Sequence, residues 1–429
     1  MRSTQYGTLD NVIYSLHIAE NGHLPQSHLV FKEIVFQGIT MIYDWKYLAA
    51  KLERPFSPIS SESELCHLID ILSNDEIDSA FKELRLKLAN HLRIGKVIFL
   101  FGNGVSLYAG SKSTLDFSLE DYAGNQDFAK IKDELDKIRG SVKGIEEQLN
   151  ALIAVRSYFR IMKDENMEQC VSSLIEKIKN TLIVNCVNSI DYKRLSQHEA
   201  FFRKLRSLDV LPKTRIFTTN YDLAFEYTMD SLGIEYTDGF SGFVNRRFNT
   251  RALIADRKPS IIKLHGSVNW IVEDGLIKEI QPEFNGGKLI IRDTVPLLIY
   301  PTSDKLYQTY STPYSELLRH MLDEMETGAN LVVVIGYKYG DEHVNDILLK
   351  ALDNSNNMFY FFIYGNPEEC EFIRKKISPL ENRMKNINIL SGSIIPSFDV
   401  FVNRILHGVD EMTDEEKNYA LLHGLLTKD

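Results

Sequence analysis

Six short, nearly unbroken apolar runs constrain this chain more than any other feature. They are KVIFLF (96–101), RIFTT (215–219), SIIKLHG (260–266), PLLIY (296–300), LVVVIG (331–336) and MFYFFIY (358–364). A strand with one wet face alternates apolar and polar side chains, whereas a run apolar at successive positions has both faces covered. Amphipathic segments between several of the runs supply crossover helices. The pattern predicts an α/β fold: a doubly wound, Rossmann-like parallel sheet with a helical insertion and a small N-terminal appended domain.

The division along the chain follows from the same pattern. Residues 1–92 stand apart as an N-terminal accessory domain. Within it LVFKEIVF (29–36) reads as a strand and ITMIYDWKYLAAKL (39–52) as a strand or helix. The stretch ERPFSPISSES (53–63) reads as a linker or exposed loop. Leu65, Leu68, Ile69 and Leu72, then Ile77, Phe81, Leu84 and Leu88, recur at helical spacing. Residues 93–410 form the main α/β domain, with 118–210 inserted between its first two strands and 411–429 as a tail. Inside the insertion, Ile131, Leu135, Ile138, Val142, Ile145, Leu149 and Leu152 form an a/d heptad seam, which requires a partner helix. Gly140 and Gly144 weaken a helix there by about 1 kcal/mol each relative to alanine. The seam suits either a helical layer over the sheet or an oligomerisation surface.

Bulk properties exclude some functions. The formal net charge of −10 is a poor match for a phosphate backbone, so direct nucleic-acid binding is not expected. No run approaches the roughly 20 apolar residues that span a bilayer, and MRSTQYGTLDNVIYS has no signal-peptide core, so no membrane association is expected. Cys66, Cys170, Cys186 and Cys370 form no CxxC pair. That spacing argues against a zinc ribbon or a secreted disulfide framework and favours a reducing cytoplasm.

Polar and glycine clusters follow the strands. The first strand runs into Gly102-Asn103-Gly104-Val105-Ser106, where glycines let the backbone approach a pyrophosphate and a following helix N-terminus faces the anion. The dehydrogenase fingerprint GxGxxG fails at Leu107, and a plain strand-to-helix turn also uses such glycines. The second strand ends in Thr218-Thr219-Asn220-Tyr221-Asp222, in which Asn220 or Asp222 can cap the next helix. His265 and Gly266 end the third strand. LVVVIG leads into Tyr337-Lys338-Tyr339-Gly340-Asp341-Glu342-His343, with Asp341 placed to cap a helix bearing Val344, Ile347, Leu348 and Ala351. Ligands of open α/β sheets bind at such strand ends.

Taken in order, GNGVS (102–106), TTNYD (218–222), HG (265–266) and GYKYGD (336–341) resemble the sirtuin superfamily. FTTNYDLAFEYTMDSLGIEYTDGFSGF (217–243), IIKLHGSVNW (261–270), LIYPTSDKLYQTYSTPYSELLR (298–319) and GYKYGDEHVNDILL (336–349) resemble in particular the sirtuin-like NAD hydrolases of bacterial antiviral defence. The resemblance covers roughly residues 96–400. It implies that 93–410 is an NAD-binding catalytic domain in which Gly102, Asn103, Gly104 and Ser106 hold the NAD phosphates. It further implies Asn220 at the nicotinamide ribose beside Thr219, Asp222 on the carboxamide, His265 as catalytic base, and Gly336, Tyr337 and Asp341 on the adenosine side. Asn103, Thr219 and Tyr337-Lys338 depart from the family's alanine, glutamine and Thr-Ser, and its IPDFR stretch is absent.

Sirtuin deacylases add a zinc ribbon that this chain cannot make, so water becomes the simplest acceptor and the expected products are nicotinamide and ADP-ribose. Such chemistry requires no metal. The resemblance implies an antiphage effector that depletes NAD on activation. It is expected to act as a homo-oligomer with a regulatory partner such as a HerA-type ATPase or a nucleotide-sensing subunit. A zinc-free protein deacylase and a non-catalytic assembly subunit binding NAD or ADP-ribose are the alternatives.

Overall fold

The computed structural model describes residues 84–92, 95–112, 129, 131–132, 145–254, 257–290, 295–300, 308–381, 384–392 and 396–412, and the backbone of four strands within residues 4–41. Those four are β1 (Thr4–Leu9), β2 (Val12–Ile18), β3 (Leu29–Phe36) and β4 (Ile39–Met41), an antiparallel meander in chain order. The strand expected at 29–36 is β3. The helix expected around Leu65–Leu72, and Ile77 and Phe81 of the next, lie outside the described residues. Leu84 and Leu88 lie on a helix over residues 84–91 and are buried against the central sheet.

That sheet contains β5 (Lys96–Phe101), β6 (Thr214–Thr218), β9 (Ser260–Lys263), β14 (Asn330–Ile335), β15 (Met358–Tyr364) and β16 (Ile387–Gly392). Its order is β16-β15-β14-β5-β6-β9, and every pairing is parallel. The chain builds outward from β5 through β6 to β9, then returns to the other side of β5 with β14. The doubly wound fold is as expected, with a topological switch point between β5 and β14.

Alternate residues of the same runs feed two separate cores. Val97, Phe99 and Phe101 of β5 join Leu331, Val333 and Ile335 of β14 on one face. There they meet Phe201, Phe202 and Leu205 of α3 (Ser196–Ser207) and Phe225 and Met229 of α4 (Ala224–Ser231). Ile98 and Leu100 join Val332 and Val334 on the other face, under Leu317, Met321 and Met325 of α5 (Tyr314–Glu326) and Val344, Leu348 and Ala351 of α6 (Glu342–Leu352). Each such side chain contributes roughly 1.5–3 kcal/mol on burial, which is why both faces are apolar at successive positions.

Two strand expectations change. PLLIY (296–300) is not a strand of the sheet; Leu298 makes a single antiparallel bridge to Gly266, and Ile299 donates its N–H to the His265 carbonyl at 2.9 Å. It lies over the end of β9. The sixth strand is instead β16, INILSG, an edge strand whose Asn388 interrupts the apolar run and donates to the Phe359 carbonyl.

The insertion folds as a helical hairpin, α1 (Ile145–Met162) and α2 (Glu165–Ile183). Asp164 caps α2 by accepting from the Met167 amide at 3.1 Å. Leu149 and Leu152 of the heptad seam, with Ile131, pack against Val171, Leu174, Ile175 and Ile178, so this part of the seam finds its partner within the chain. Leu135, Ile138 and Val142 lie outside the described residues. Among the described residues no helix is long and apolar enough to cross a membrane.

Four short strands, β7 (Phe240–Ser241), β8 (Arg246–Phe248), β10 (Trp270–Glu273) and β11 (Leu276–Glu279), form a small sheet in the order β10-β11-β8-β7, separate from the hairpin of β12 (Glu283–Asn285) and β13 (Lys288–Ile290). It carries a buried polar chain. Ser267 donates to Asn269 at 2.6 Å, and Asn269 donates to Glu279 at 2.8 Å. Arg246 lies 2.9 Å from Glu279 and donates to Asp238 at 2.6 Å. One guanidinium cannot neutralise two buried carboxylates, so burial and then the Asp238 charge push Glu279 up to about 7.

Two predictions follow from these buried charges. Lys263 is buried 3.1 Å from Glu226, whose carboxyl is raised by burial and held down by that lysine. Lys263→Met leaves Glu226 unpaired and is expected to cost about 3–5 kcal/mol in urea unfolding, most of it recovered in Lys263→Met/Glu226→Met. A double variant no more stable than the single one would refute the pairing. The second concerns Glu279, whose folded value exceeds its unfolded value, so the native state binds the extra proton. Its stabilisation is complete below about pH 4.5 and is lost as pH rises through about 7, at up to roughly 1.4 kcal/mol per unit. The stability difference between wild type and Glu279→Gln should therefore change sharply across this window; a flat difference would show that Glu279 titrates normally.

Candidate active site

Register brings the strand ends together. Ile335, Phe101, Thr218 and Lys263 lie in one row across β14, β5, β6 and β9. One position further come Gly336, Gly102, Thr219 and Leu264, and then Tyr337, Asn103, Asn220 and His265. Asn220 and His265 thus each follow by two positions a residue of the last register pair of β6 and β9, Thr218 and Lys263.

At the switch point the two glycine turns touch backbone to backbone. The Gly104 N–H donates to the Gly336 carbonyl at 3.0 Å, and Gly102 N–H to that of Ile335 at 3.2 Å. A Cβ on Gly102 would sit 2.4 Å from the Gly336 oxygen, and one on Gly104 2.5 Å from the Gly336 Cα. Gly336 itself has φ +68°. No side chain fits this seam, which explains both glycine clusters physically.

The turn differs from the expected strand-to-helix form. Two 3-10 turns, Asn103–Val105 and Leu107–Ala109, follow β5 in place of an α-helix. The amides of Gly102, Gly104, Val105 and Ser106 all donate within the chain. Asn103 is tied to the next segment, donating to the Lys112 carbonyl at 2.8 Å and accepting from Ser111 at 2.7 Å. Ser106 is fully buried.

Ser106 instead anchors a three-residue network. Its hydroxyl donates to Asp222 Oδ2 at 3.0 Å and accepts from Asn220 Nδ2 at 3.3 Å. The other Asp222 oxygen accepts the Ala224 amide at 2.9 Å, at the start of α4. Asp222 is therefore engaged on both oxygens and holds the glycine turn, Asn220 and α4 in one frame. Thr219 donates its N–H to the Phe101 carbonyl at 3.1 Å, and Thr218 Oγ1 accepts the Asn220 N–H at 3.1 Å. After these bonds Asn220 Oδ1 is buried with no hydrogen-bond partner among the described residues. An unpartnered buried acceptor is costly, and it matches a site for a donor from a ligand.

His265 is buried at the end of β9, held by the Gly266 turn. Gly266 has φ +86°, and a Cβ there would lie 2.1 Å from the Leu297 oxygen, so the residue after the histidine must be glycine. His265 Nε2 lies 2.9 Å from Nε2 of His343, a residue of the first turn of α6. Asp341 occupies the N-cap position of that helix, but its side chain makes no capping bond. Its carboxylate lies close to the two imidazoles instead: the three donor atoms fall within 4.8 Å of one another. Tyr337 is turned away, its ring buried in the core beneath α6 and its hydroxyl bonded to Asp341 backbone and Asn345. Any part it plays at a ligand runs through its backbone.

Of the residues singled out by sequence, Asn220, Ser106, Asp222 and the glycines assemble into one network, while His265 and Asp341 assemble into a second with His343. His343 carried no sequence signal of its own beyond following Asp341 by two positions. If the glycine seam is the contact described, Gly336→Ala should lose about 1–3 kcal/mol in thermal or urea unfolding from backbone strain. Unchanged stability would place the two turns apart.

Comparison with known proteins agrees with this architecture. No curated protein matches the chain. A family match spans under half of the chain, from the first residue of β6 into β16, and leaves β5 and its glycine turn outside. Residues 214–389, which carry Asn220, Asp222, His265, Asp341 and His343, match the family model of the SIR2-like domain.

Proposed function

We propose that the chain hydrolyses NAD at the nicotinamide–ribose bond, releasing nicotinamide and ADP-ribose. The observation that carries this is the buried Oδ1 of Asn220, which has no hydrogen-bond partner among the described residues, with His265 following the adjacent strand. The SIR2-like match supports an NAD-using enzyme in general.

The chemistry needs little from the protein. Nicotinamide leaves as a neutral molecule from a cationic nucleoside, so no strong acid is required, and positive charge develops on the ribose as in glycoside hydrolysis. Asn220 Oδ1 accepts a hydrogen bond from a ribose hydroxyl or the attacking water, while Ser106 and Asp222 keep its amide from rotating. His265 takes the proton released as water adds. Asp222 serves here as a positioning residue.

The biological setting follows from the sequence resemblance. The chain acts as the effector of an antiphage system, held inactive until a HerA-type ATPase or a nucleotide-sensing partner engages an assembled homo-oligomer. Because the described part of the heptad seam is satisfied by α2, the N-terminal region is the better candidate for that contact.

Nicotinamide release by the purified chain, alone and with the products of adjacent genes, tests this. Asn220→Ala and His265→Ala should each lower the rate by about 10²–10⁴. Undiminished hydrolysis in both would remove the site. Acetyl-ADP-ribose formed from acetylated peptide would instead identify a deacylase, and NAD binding without turnover an assembly subunit.

A further inference from the structure

We propose that His265, His343 and Asp341 form a binding site for a divalent transition-metal ion of the zinc class, and that the bound ion holds the enzyme inactive. The metal site stands on geometry alone; its inhibitory effect rests on the hydrolase function proposed above.

The three donors come from two segments far apart in the sheet. His265 follows β9, whereas Asp341 and His343 follow β14, and β5 and β6 lie between those strands. The two segments therefore meet across the ends of β5 and β6. Two imidazole nitrogens 2.9 Å apart cannot both present lone pairs. Either one nitrogen donates its N–H to the other, or both face a cation.

The spacing suits a metal. A tetrahedral ion with metal–nitrogen bonds of about 2.0–2.1 Å holds two nitrogens roughly 3.3 Å apart. The observed 2.9 Å thus needs to open by only a few tenths of an ångström, and the Asp341 carboxylate already lies within the 4.8 Å cluster. Two imidazoles and one carboxylate form a donor set for zinc, cobalt, nickel or iron rather than for magnesium or calcium. Three protein ligands leave a fourth position open to water. That Asp341 sits at a helix N-cap without capping it fits a carboxylate aimed elsewhere.

Occupancy has a direct chemical consequence. A nitrogen coordinated to the ion cannot take a proton, so a metal on His265 Nε2 removes the base from that face of the ring. Release of the ion restores the nitrogen–nitrogen hydrogen bond seen here.

The test uses the full-length chain freed of metal by chelator. Titration with Co²⁺ should produce one equivalent of a visible ligand-field band, displaced by Zn²⁺. His343→Ala and Asp341→Asn should each weaken it by about tenfold or more, at least the loss that outer-shell changes cause. Circular dichroism and urea unfolding show whether each variant is folded, and His343→Asn gives a second change at the same position. No band in the wild type, or a band undiminished in folded variants at both positions, overturns the site. Zn²⁺ should suppress nicotinamide release by the wild type about tenfold or more, with recovery on chelation, since loss of an acid–base group costs that much. Full activity with the cobalt band saturated overturns the inhibitory role. A chain that releases no nicotinamide under any condition removes the hydrolase reading and the inhibition together, while the titration still decides the metal site.

Discussion

The backbone contact between the Gly102–Gly104 turn and Gly336 is the constraint on which the rest of the site depends. It joins the two halves of a doubly wound sheet at the strand pair where the chain reverses direction. With a Cβ at any of the three positions β5 and β14 could not end flush. Because they do, the row Ile335–Phe101–Thr218–Lys263 is level, and the residues just beyond it project from one edge. The glycines therefore act first as a packing seam, with their amides used inside the chain.

Two polar networks are built on that level edge. Ser106, fully buried, links Asn220 to Asp222, and Asp222 in turn receives an amide of α4. The network restrains the Asn220 amide and leaves its oxygen without a hydrogen-bond partner among the described residues. Beside it His265, His343 and Asp341 close over the ends of β5 and β6. Burying so many polar groups at a sheet edge is tolerable only where nearly all are paired, and the exception is informative for the same reason. Behind His265, the chain from Ser267 through Asn269 to Glu279, Arg246 and Asp238 fixes the segment following the histidine.

Much of this was legible from the residues. Runs such as LVVVIG report burial on both faces because β-strand side chains alternate sides, so an unbroken run leaves no face for water. Strand-end clusters stood out because polar residues directly after such runs have no packing reason to be there. PLLIY misled because a short apolar run reports burial and not pairing; its burial comes from lying over β9. The edge strand β16 was hidden by Asn388, which satisfies its amide on the neighbouring Phe359 carbonyl. Capping by Asp341 was reasonable from position alone, but the competing attraction of two imidazoles is invisible along the chain.

By itself the sequence determined what depends on neighbours in the chain: the parallel α/β class, the glycine turns, the helices of the insertion and the identity of Asn220 and His265 as candidates. Only the tertiary structure decided which strands adjoin, that Ser106 joins Asn220 to Asp222, and that His343 stands 2.9 Å from His265 across 78 positions of chain. The reason is physical. Periodicity and turn chemistry are local and leave a repeating trace, whereas strand order and through-space contacts are chosen by the packing of distant surfaces. No single segment encodes such a choice.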